Sequence, residues 1–172
     1  MTFAHHEELE VEVYAPPAAL FAHLDDQERL ASHMEKPSMM MMGGRMFYEF
    51  DADKGRAVGS VIRMGGSFLW IKLLVEEVVT VRDPPRLKVW ETRGIPTLII
   101  IGAYRMGFEI SPADATSRLR VFIDYQRPSG VIGRVLGFLF APLYARWCVG
   151  RMAKDAERHF AMAAPSPHPA HS

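Results

Sequence analysis

This sequence has almost no cysteine and no excess of positive or negative charge. Cys148 is the only cysteine among the 172 residues, which excludes an internal disulfide and a metal site built from cysteine thiolates. Twenty lysine and arginine residues balance twenty aspartate and glutamate residues, so the chain lacks the basic field with which proteins bind nucleic-acid phosphates. We therefore predict that no nucleic acid is among its partners.

Long apolar runs are also lacking. The most extended one, residues 135–145, is eleven residues long, whereas a membrane-spanning helix needs ~20 apolar residues. Residues 1–8 contain neither the basic region nor the apolar region of a secretory signal peptide. These features predict a soluble protein of the cytoplasm, where thiols stay reduced.

The short motifs of catalysis and cofactor binding are missing as well. There is no Gly-x-Ser-x-Gly elbow, and the glycine pairs at residues 43–44 and 65–66 have neither P-loop nor dinucleotide-binding spacing. The seven histidines include no helical i, i+4 pair with a third metal ligand near it. We predict no cofactor and no metal, and the sequence leaves the catalytic residues unknown.

Alternation of apolar and polar residues is the strongest pattern that is present. Such period-two segments predict half-buried strands. A helix is predicted after Pro17 over residues 18–24, and Asp25 or Asp26 can cap a second short helix that ends near Met34. The predicted strands cover residues 8–14, 45–51, 58–64, 68–81, 87–92, 98–110 and 119–125.

Turn signals every 8 to 14 residues between the later strands favour an antiparallel meander. The Gly65-Gly66 pair predicts a hairpin, and the Glu76-Glu77 pair predicts a bulge or bend. One long helix is predicted over residues 134–160, in which Pro142 can cause a kink. The order predicts an α+β fold in which a curved antiparallel sheet of about seven strands wraps around a long C-terminal helix.

A single domain over residues 1–160 accommodates all of these elements. Residues 161–172 are rich in alanine, proline, serine and histidine and include three prolines. Because proline cannot continue a helix, we predict a disordered tail over residues 161–172.

Two local phrases give the sequence a family resemblance. Residues 13–17 read Val-Tyr-Ala-Pro-Pro, and residues 82–87 read Arg-Asp-Pro-Pro-Arg-Leu. With the order of the elements, they make residues 7–160 resemble the START-type, SRPBCC superfamily, also called helix-grip or birch-pollen-allergen-like. The resemblance implies an internal apolar cavity for a lipid, sterol, quinone or polyketide-like ligand. It also implies a range of activities, from carriers to polyketide cyclases and dehydratases.

The predicted ligand-binding residues occupy inward strand positions and the apolar part of the long helix. A tyrosine in an apolar cavity can donate a hydrogen bond to a ligand, which makes Tyr48, Tyr104 and Tyr125 the candidate polar contacts, with Ser60 as a smaller one. The full set is Met46, Tyr48, Phe50, Ser60, Ile62, Trp90, Ile100, Tyr104, Met106, Phe108, Val121, Ile123, Tyr125, Leu139, Leu143 and Trp147.

The pattern does not decide which face of the sheet two glutamate side chains occupy. If Glu77 or Glu91 faces the cavity, burial would raise its pKa and suit it to acid–base chemistry. Cys148 is expected to be a buried, inert thiol. Met39–Met42 can form either a mobile lid over the cavity or an apolar loop packed on the sheet.

The long helix is apolar almost all round over residues 136–147, and Arg134, Arg146 and Arg151 lie at or just beyond the ends of this part. Core packing explains one face. A second face is available for a homodimer or for transient contact with a membrane surface.

Three functions remain open from the sequence. The first is a soluble binding or carrier protein for a hydrophobic small molecule held between sheet and helix. The second is a polyketide cyclase- or dehydratase-like enzyme, which requires an inward charged residue with a perturbed pKa. The third is an interaction protein that uses an exposed apolar helix face.

Overall fold

The computed structural model describes residues 3–29, 45–68, 71–98, 100–128 and 131–163. Strand β1 covers His5–Val13, and helix α1 follows over Pro17–Asp25. Pro17 occupies the first position of α1, where a missing backbone N–H breaks no helical hydrogen bond. Asp26 caps the helical turn that follows, because its carboxylate accepts a hydrogen bond from the backbone N–H of Arg29 at 3.1 Å. The rest of the predicted second helix, residues 30–34, and the Met39–Met42 segment lie outside the described residues.

All seven strands form one antiparallel sheet, in the order β1-β7-β6-β5-β4-β3-β2. The meander from β2 to β7 is extended at one edge by β1, which pairs with β7. This confirms the predicted α+β fold. The remaining elements are β2 Arg45–Phe50, β3 Val61–Phe68, β4 Ile71–Asp83, β5 Leu87–Thr97, β6 Tyr104–Ala113, β7 Thr116–Tyr125 and helix α2 Val131–Ala163.

The core lies between one face of this sheet, here called the inner face, and α2. Inward and outward residues alternate along the strands, as the sequence predicted for the strands ending at residues 110 and 125. In the middle of α2 the residues that face the core are small: Ala141 and Ala145 are fully buried, and Val149 follows one turn later. Their size allows the helix to lie close to β1 and β7.

The predicted hairpin at Gly65-Gly66 is wrong, because β3 continues through both glycines. Phe47 on β2 lies directly opposite Gly65. A Cβ atom on Gly65 would come within 2.2 Å of the Phe47 ring. The glycine therefore makes room for an aromatic ring across the strand pair, which the sequence pattern does not distinguish from a turn.

The predicted boundary between the next two strands is also wrong. The turn expected at residues 94–96 lies inside β5, and the strand expected from residue 98 begins only at Tyr104. Gly94 has a φ of +72°, a conformation that glycine adopts without strain. The β5–β6 pairing ends at Glu91 and Arg105, so the last residues of β5 pair with β4 alone. The bulge expected at Glu76-Glu77 is confirmed by a register shift between Leu74 and Glu76.

Helix α2 is longer at both ends than predicted and contains Pro142. Residues 161–163, expected in the tail, are helical. The first proline after them is Pro165, so nothing in these residues prevents the helix from continuing to Ala163. Residues 164–172, the rest of the predicted tail, lie outside the described residues.

A buried ion network attaches α1 to the sheet. The Asp25 carboxylate accepts hydrogen bonds from Lys88 Nζ at 2.7 Å and from Arg82 Nη2 at 2.8 Å. The Lys88 side chain is fully buried, and its Nζ also donates to the Asp25 backbone carbonyl at 3.2 Å. Because each buried charge has a partner, α1 is held against β4 and β5 at one end of the interior.

Candidate functional site

A hydrogen-bonded pair of polar side chains lies on the inner face of the sheet. The phenol hydroxyl of Tyr104 on β6 donates a hydrogen bond to Oε1 of Glu77 on β4, and the side chain of Trp90 lies beside the same carboxyl group. Glu77 is only 6% exposed. The carboxyl group thus lies in the interior with a neutral donor, and no cation among the described residues bonds it directly.

The strand pairing explains why these two side chains meet across β5, which lies between their own strands. Thr92 of β5 is directly opposite Glu77. Its hydroxyl accepts a hydrogen bond from the backbone N–H of Tyr104 at 3.1 Å, just beyond the last β5–β6 backbone pair. The threonine therefore continues the ladder through its side chain and positions Tyr104 over the strand.

Burial raises the pKa of Glu77 to about 7, although the hydrogen bond from Tyr104 and the nearby Trp90 side chain act against this rise. Burial also raises the pKa of Tyr104 well above its usual value, and the neighbouring Glu77 raises it further. The phenol therefore keeps its proton. Near neutral pH the pair can either donate or accept one proton at the Glu77 carboxyl group.

Helix α2 contributes two further polar groups to the same interior. Tyr144 and Cys148 lie one turn apart on this helix, so their hydroxyl and thiol groups are near each other. Burial raises the pKa of Cys148 to about 12, which agrees with the inert thiol that we expected. The charges of Cys148, Tyr48 and Glu77, together with burial, raise the pKa of Tyr144. We call Glu77, Tyr104, Tyr144 and Cys148 the interior polar cluster.

Most of the predicted ligand-binding residues lie on the inner face of the sheet, where Tyr104 itself belongs to this cluster. Trp90 and Phe108 contact each other with their ring centroids 6.4 Å apart. The buried members of the predicted set are Ile62, Trp90, Phe108, Val121, Ile123 and Tyr125, and the partly buried ones are Tyr48, Phe50, Tyr104 and Met106. The backbone of Met46 continues this face, but its side chain lies outside the described part of the chain.

Some of the predicted residues lie elsewhere. Leu139 and Leu143 are each 59% exposed and do not face the interior, because α2 turns Ala141 and Ala145 toward the sheet. Ser60 is buried in the loop before β3, where its hydroxyl donates to Asp51 at 2.6 Å and accepts from the Gly55 N–H at 2.8 Å. It therefore holds the loop together.

Two predicted residues are intermediate cases. Ile100 packs against the core from the connection between β5 and β6, outside any strand, and its neighbour Ile101 is the buried residue there. Trp147 is partly buried and stacks on Tyr144 with ring centroids 5.9 Å apart.

The structure resolves the phase of the two carboxylates. Glu91 lies between the buried residues Trp90 and Thr92 and therefore faces the outer side of the sheet. Glu77 is the inward one. The neighbouring Glu76 faces outward and bonds Arg63 at 2.9 Å. The opposite charges of Arg63 and Glu76 on paired strands are the sequence signal that could have shown which residues of β4 face inward.

Within the described residues, no group of three or more histidine, cysteine, aspartate or glutamate side chains is arranged to hold a metal ion. The helices described there include none that is long and apolar enough to cross a bilayer.

Comparison with known proteins identifies the fold. The chain matches no protein-family model and no curated protein sequence. Among solved structures, TTHA0849 from Thermus thermophilus has a TM-score of 0.67 at 15% identity, covering 94% of this chain and 100% of that one. Ara h 8.0201 has a TM-score of 0.62 at 15% identity, covering 92% and 98%. The Zhui aromatase/cyclase from Streptomyces sp. R1128 has a TM-score of 0.62 at 17% identity, covering 94% and 99%. These similarities show the helix-grip fold that the sequence resemblance implied.

Proposed function

We propose that this protein binds a hydrophobic small molecule that carries a hydrogen-bonding oxygen, in the interior between the sheet and α2, and acts as its carrier. The observation that carries the proposal is the Glu77–Tyr104 pair, set among inward apolar side chains. An apolar residue in place of Glu77 would avoid the cost of burying a carboxyl group. Residues that break such a packing rule are typical of functional sites.

The chemistry of the pair indicates what the ligand presents to it. In its acid form the Glu77 carboxyl group can donate a hydrogen bond to a carbonyl oxygen, and as a carboxylate it can accept one from a hydroxyl group. Apolar surface supplies most of the affinity, because ~300 Å² of buried ligand surface at ~25 cal/mol/Å² gives several kcal/mol before ordering costs. The expected ligand class is therefore a largely apolar ketone, phenol, quinone or fatty-acid-like molecule.

Extraction of the purified full-length chain tests this proposal. Native mass spectrometry followed by organic extraction should find a co-purified apolar molecule. After any bound molecule has been removed, the neutral probe N-phenyl-1-naphthylamine should bind in the same interior, and its fluorescence should rise to saturation with probe concentration. A bare mass together with probe fluorescence that does not saturate would contradict the carrier function.

A second candidate is a cyclase- or dehydratase-like enzyme, and the raised pKa of Glu77 favours it. The Glu77 carboxylate would take a proton from the carbon beside a carbonyl group, and the carboxylic acid would return that proton to a hydroxyl group that leaves as water. One residue then acts first as base and then as acid. A solved structure with this fold is described as an aromatase/cyclase, which supports the kind of chemistry only.

Turnover of an aromatic β-hydroxyketone distinguishes the enzyme from the carrier. An enzyme should release the conjugated ketone, whose formation can be measured by its absorbance. The variant Glu77→Gln should abolish this release while the substrate still binds. Binding without any turnover in the unaltered protein would leave the carrier as the function.

A further inference from the structure

The first part of α2 carries an exposed apolar surface. Five large side chains within nine residues are between 45% and 64% exposed: Val135, Phe138, Leu139, Phe140 and Leu143. Helix α1 exposes no such group among its own residues. Contiguous exposed apolar surface of this kind marks an interaction site more often than an isolated exposed leucine does.

Three of these residues form a stripe on the outer side of the helix. Val135, Leu139 and Leu143 follow one another at a spacing of four residues, which places them one above the other. The core-facing residues Ala141 and Ala145 lie on a different side. We call these three residues the outer stripe.

An open cleft of about 470 Å³ joins the outer stripe to the segment after β7. Its lining consists of Arg127, Pro128, Val135, Phe138 and Leu139. The guanidinium carbon of Arg127 lies 5.0 Å from the centre of the Phe138 ring. A cation therefore lies at the edge of an otherwise apolar cleft.

The charged residues in the first 24 positions of α2 are all basic. Residues 131–154 include Arg134, Arg146, Arg151 and Lys154 and no aspartate or glutamate. Arg146 bonds Glu7 at 2.9 Å but is still 70% exposed, and Arg151 is exposed. Pairing of this surface with a second copy of itself would bring like charges together. A bilayer with anionic lipid complements the basic residues through its headgroups and the apolar side chains through its acyl chains.

We propose that the outer stripe and the Arg127 cleft dock on the surface of a bilayer that contains anionic lipid. The apolar side chains enter the boundary between headgroups and acyl chains, and the guanidinium groups bond lipid phosphates. Tyr144 of the interior polar cluster follows Leu143 directly in the sequence. Docking therefore brings the helix that borders the interior to the phase in which apolar molecules dissolve. The docking itself does not require that any ligand be bound.

Sedimentation with vesicles tests this docking in the full-length protein. Vesicles of phosphatidylcholine with phosphatidylglycerol should bind the protein, vesicles of phosphatidylcholine alone should bind it at least roughly tenfold less, and salt should weaken the binding. The double variant Leu139→Ser/Leu143→Ser should lose roughly tenfold in binding or more. Arg127→Gln should weaken binding to the anionic vesicles only.

A control variant separates this surface from exposed apolar side chains in general. Val58 is 62% exposed in the loop before β3, so Val58→Ser should leave vesicle binding unchanged. No binding to anionic vesicles, or equal loss with Val58→Ser, would overturn the proposal. A self-association that Leu139→Ser/Leu143→Ser abolishes, measured by sedimentation velocity without lipid, would also overturn it, because a second copy would then be the occupant.

Discussion

Tyr104 reaches across β5 to donate a hydrogen bond to Glu77, whose own strand is two positions away in the sheet. The pair therefore ties β6 to β4 at the place where backbone pairing between β5 and β6 has ended. A carboxyl group and a phenol are held together in an interior that is otherwise mostly apolar. A ligand in this interior would meet the pair as a hydrogen-bonding partner among apolar side chains.

The buried Glu77 carboxyl group should make stability depend on pH. Its pKa is about 7 in the folded chain against 4.5 for the free side chain, so the folded state holds the proton more tightly. The tighter binding of this proton stabilises the folded state fully below pH 4.5. This stabilisation, about 3 kcal/mol in the free energy of unfolding, is lost as the pH rises to 7. Glu77→Gln carries no such charge. Urea unfolding should show the variant gaining stability relative to the unaltered protein between pH 5 and 8, whereas a constant difference would contradict the raised pKa.

His23 should show the opposite pH dependence. Burial lowers its pKa to about 4, and the charges of Arg29 and His159 act in the same direction. Its contribution is complete above the unfolded value of 6.5 and is lost as the pH falls toward 4. Between pH 4.5 and 6.5, the stability of the unaltered protein therefore falls with rising pH because of Glu77 and rises with pH because of His23, so the two effects oppose each other. Urea unfolding of Glu77→Gln should therefore reveal a stability that rises with pH up to 6.5, and a flat profile there would contradict the assignment to His23.

The Asp25 network predicts an asymmetry between two variants. Asp25→Ala leaves both Lys88 and Arg82 without their shared carboxylate and should cost about 3–5 kcal/mol in the free energy of unfolding. Lys88→Met removes one buried charge and leaves the Asp25–Arg82 pair intact, so it should cost about 2 kcal/mol less. Denaturant unfolding measures both.

An exposed pair supplies the control for this comparison. Asp83 and Arg86 are both 55% exposed, so Asp83→Ala should cost at most about 1 kcal/mol. If Lys88→Met proves as costly as Asp25→Ala, the network does not act as described.

Two glycines should respond to alanine with opposite signs. A Cβ atom on Gly107 would lie 2.6 Å from the Lys88 carbonyl oxygen and 2.8 Å from the Phe122 ring, so Gly107→Ala should destabilise the sheet by about 1–3 kcal/mol. Gly150 lies in α2, where nothing would approach a Cβ within 4 Å. Gly150→Ala should therefore stabilise the protein by about 1 kcal/mol. Thermal unfolding should shift in opposite directions, and a shared direction would show that the close approach at Gly107 is not present.

The sequence predicts the architecture well because alternation and turn spacing are local signals. The phase of residues 104–110 and 119–125 follows from apolar residues at every second position. The turn predicted at Gly65-Gly66 is wrong for a physical reason, because Gly65 leaves room for the ring of Phe47 on the neighbouring strand. Contacts between distant residues decide such cases, and local pattern does not contain them.

The candidate site was only half predictable for the same reason. Tyr104 could be identified from its own strand, but its partner Glu77 lies on β4, whose register depends on the bulge near Leu74. The helix residues Leu139 and Leu143 were assigned to the interior because the helix is apolar on nearly every side. Periodicity cannot orient such a helix, and the small residues Ala141 and Ala145 are what bring it to the sheet.

The Glu77–Tyr104 hydrogen bond should contribute to ligand binding through orientation more than through contact area. Tyr104→Phe removes the phenol hydroxyl and leaves the ring in place. The loss of one donor beside a buried carboxyl group should weaken binding of a phenol or ketone by about tenfold, while the apolar probe N-phenyl-1-naphthylamine should lose less. Tyr14 is 73% exposed, and Tyr14→Phe should change neither affinity. Equal affinities for all three proteins would exclude Tyr104 from the site.

The most direct test of an interior ligand site compares two adjacent residues on opposite faces of β4. Val75 is 2% exposed on the inner face, and Leu74 is 59% exposed on the outer face. Val75→Phe should fill interior space and weaken binding of N-phenyl-1-naphthylamine by roughly tenfold or more, while Leu74→Phe leaves it unchanged, with circular dichroism confirming that both are folded. If Val75→Phe does not fold, the same loss is expected in Ile62→Phe on β3, which is also buried on the inner face. Unchanged binding in a folded interior variant, or loss in Leu74→Phe alone, would contradict a ligand site between the sheet and α2.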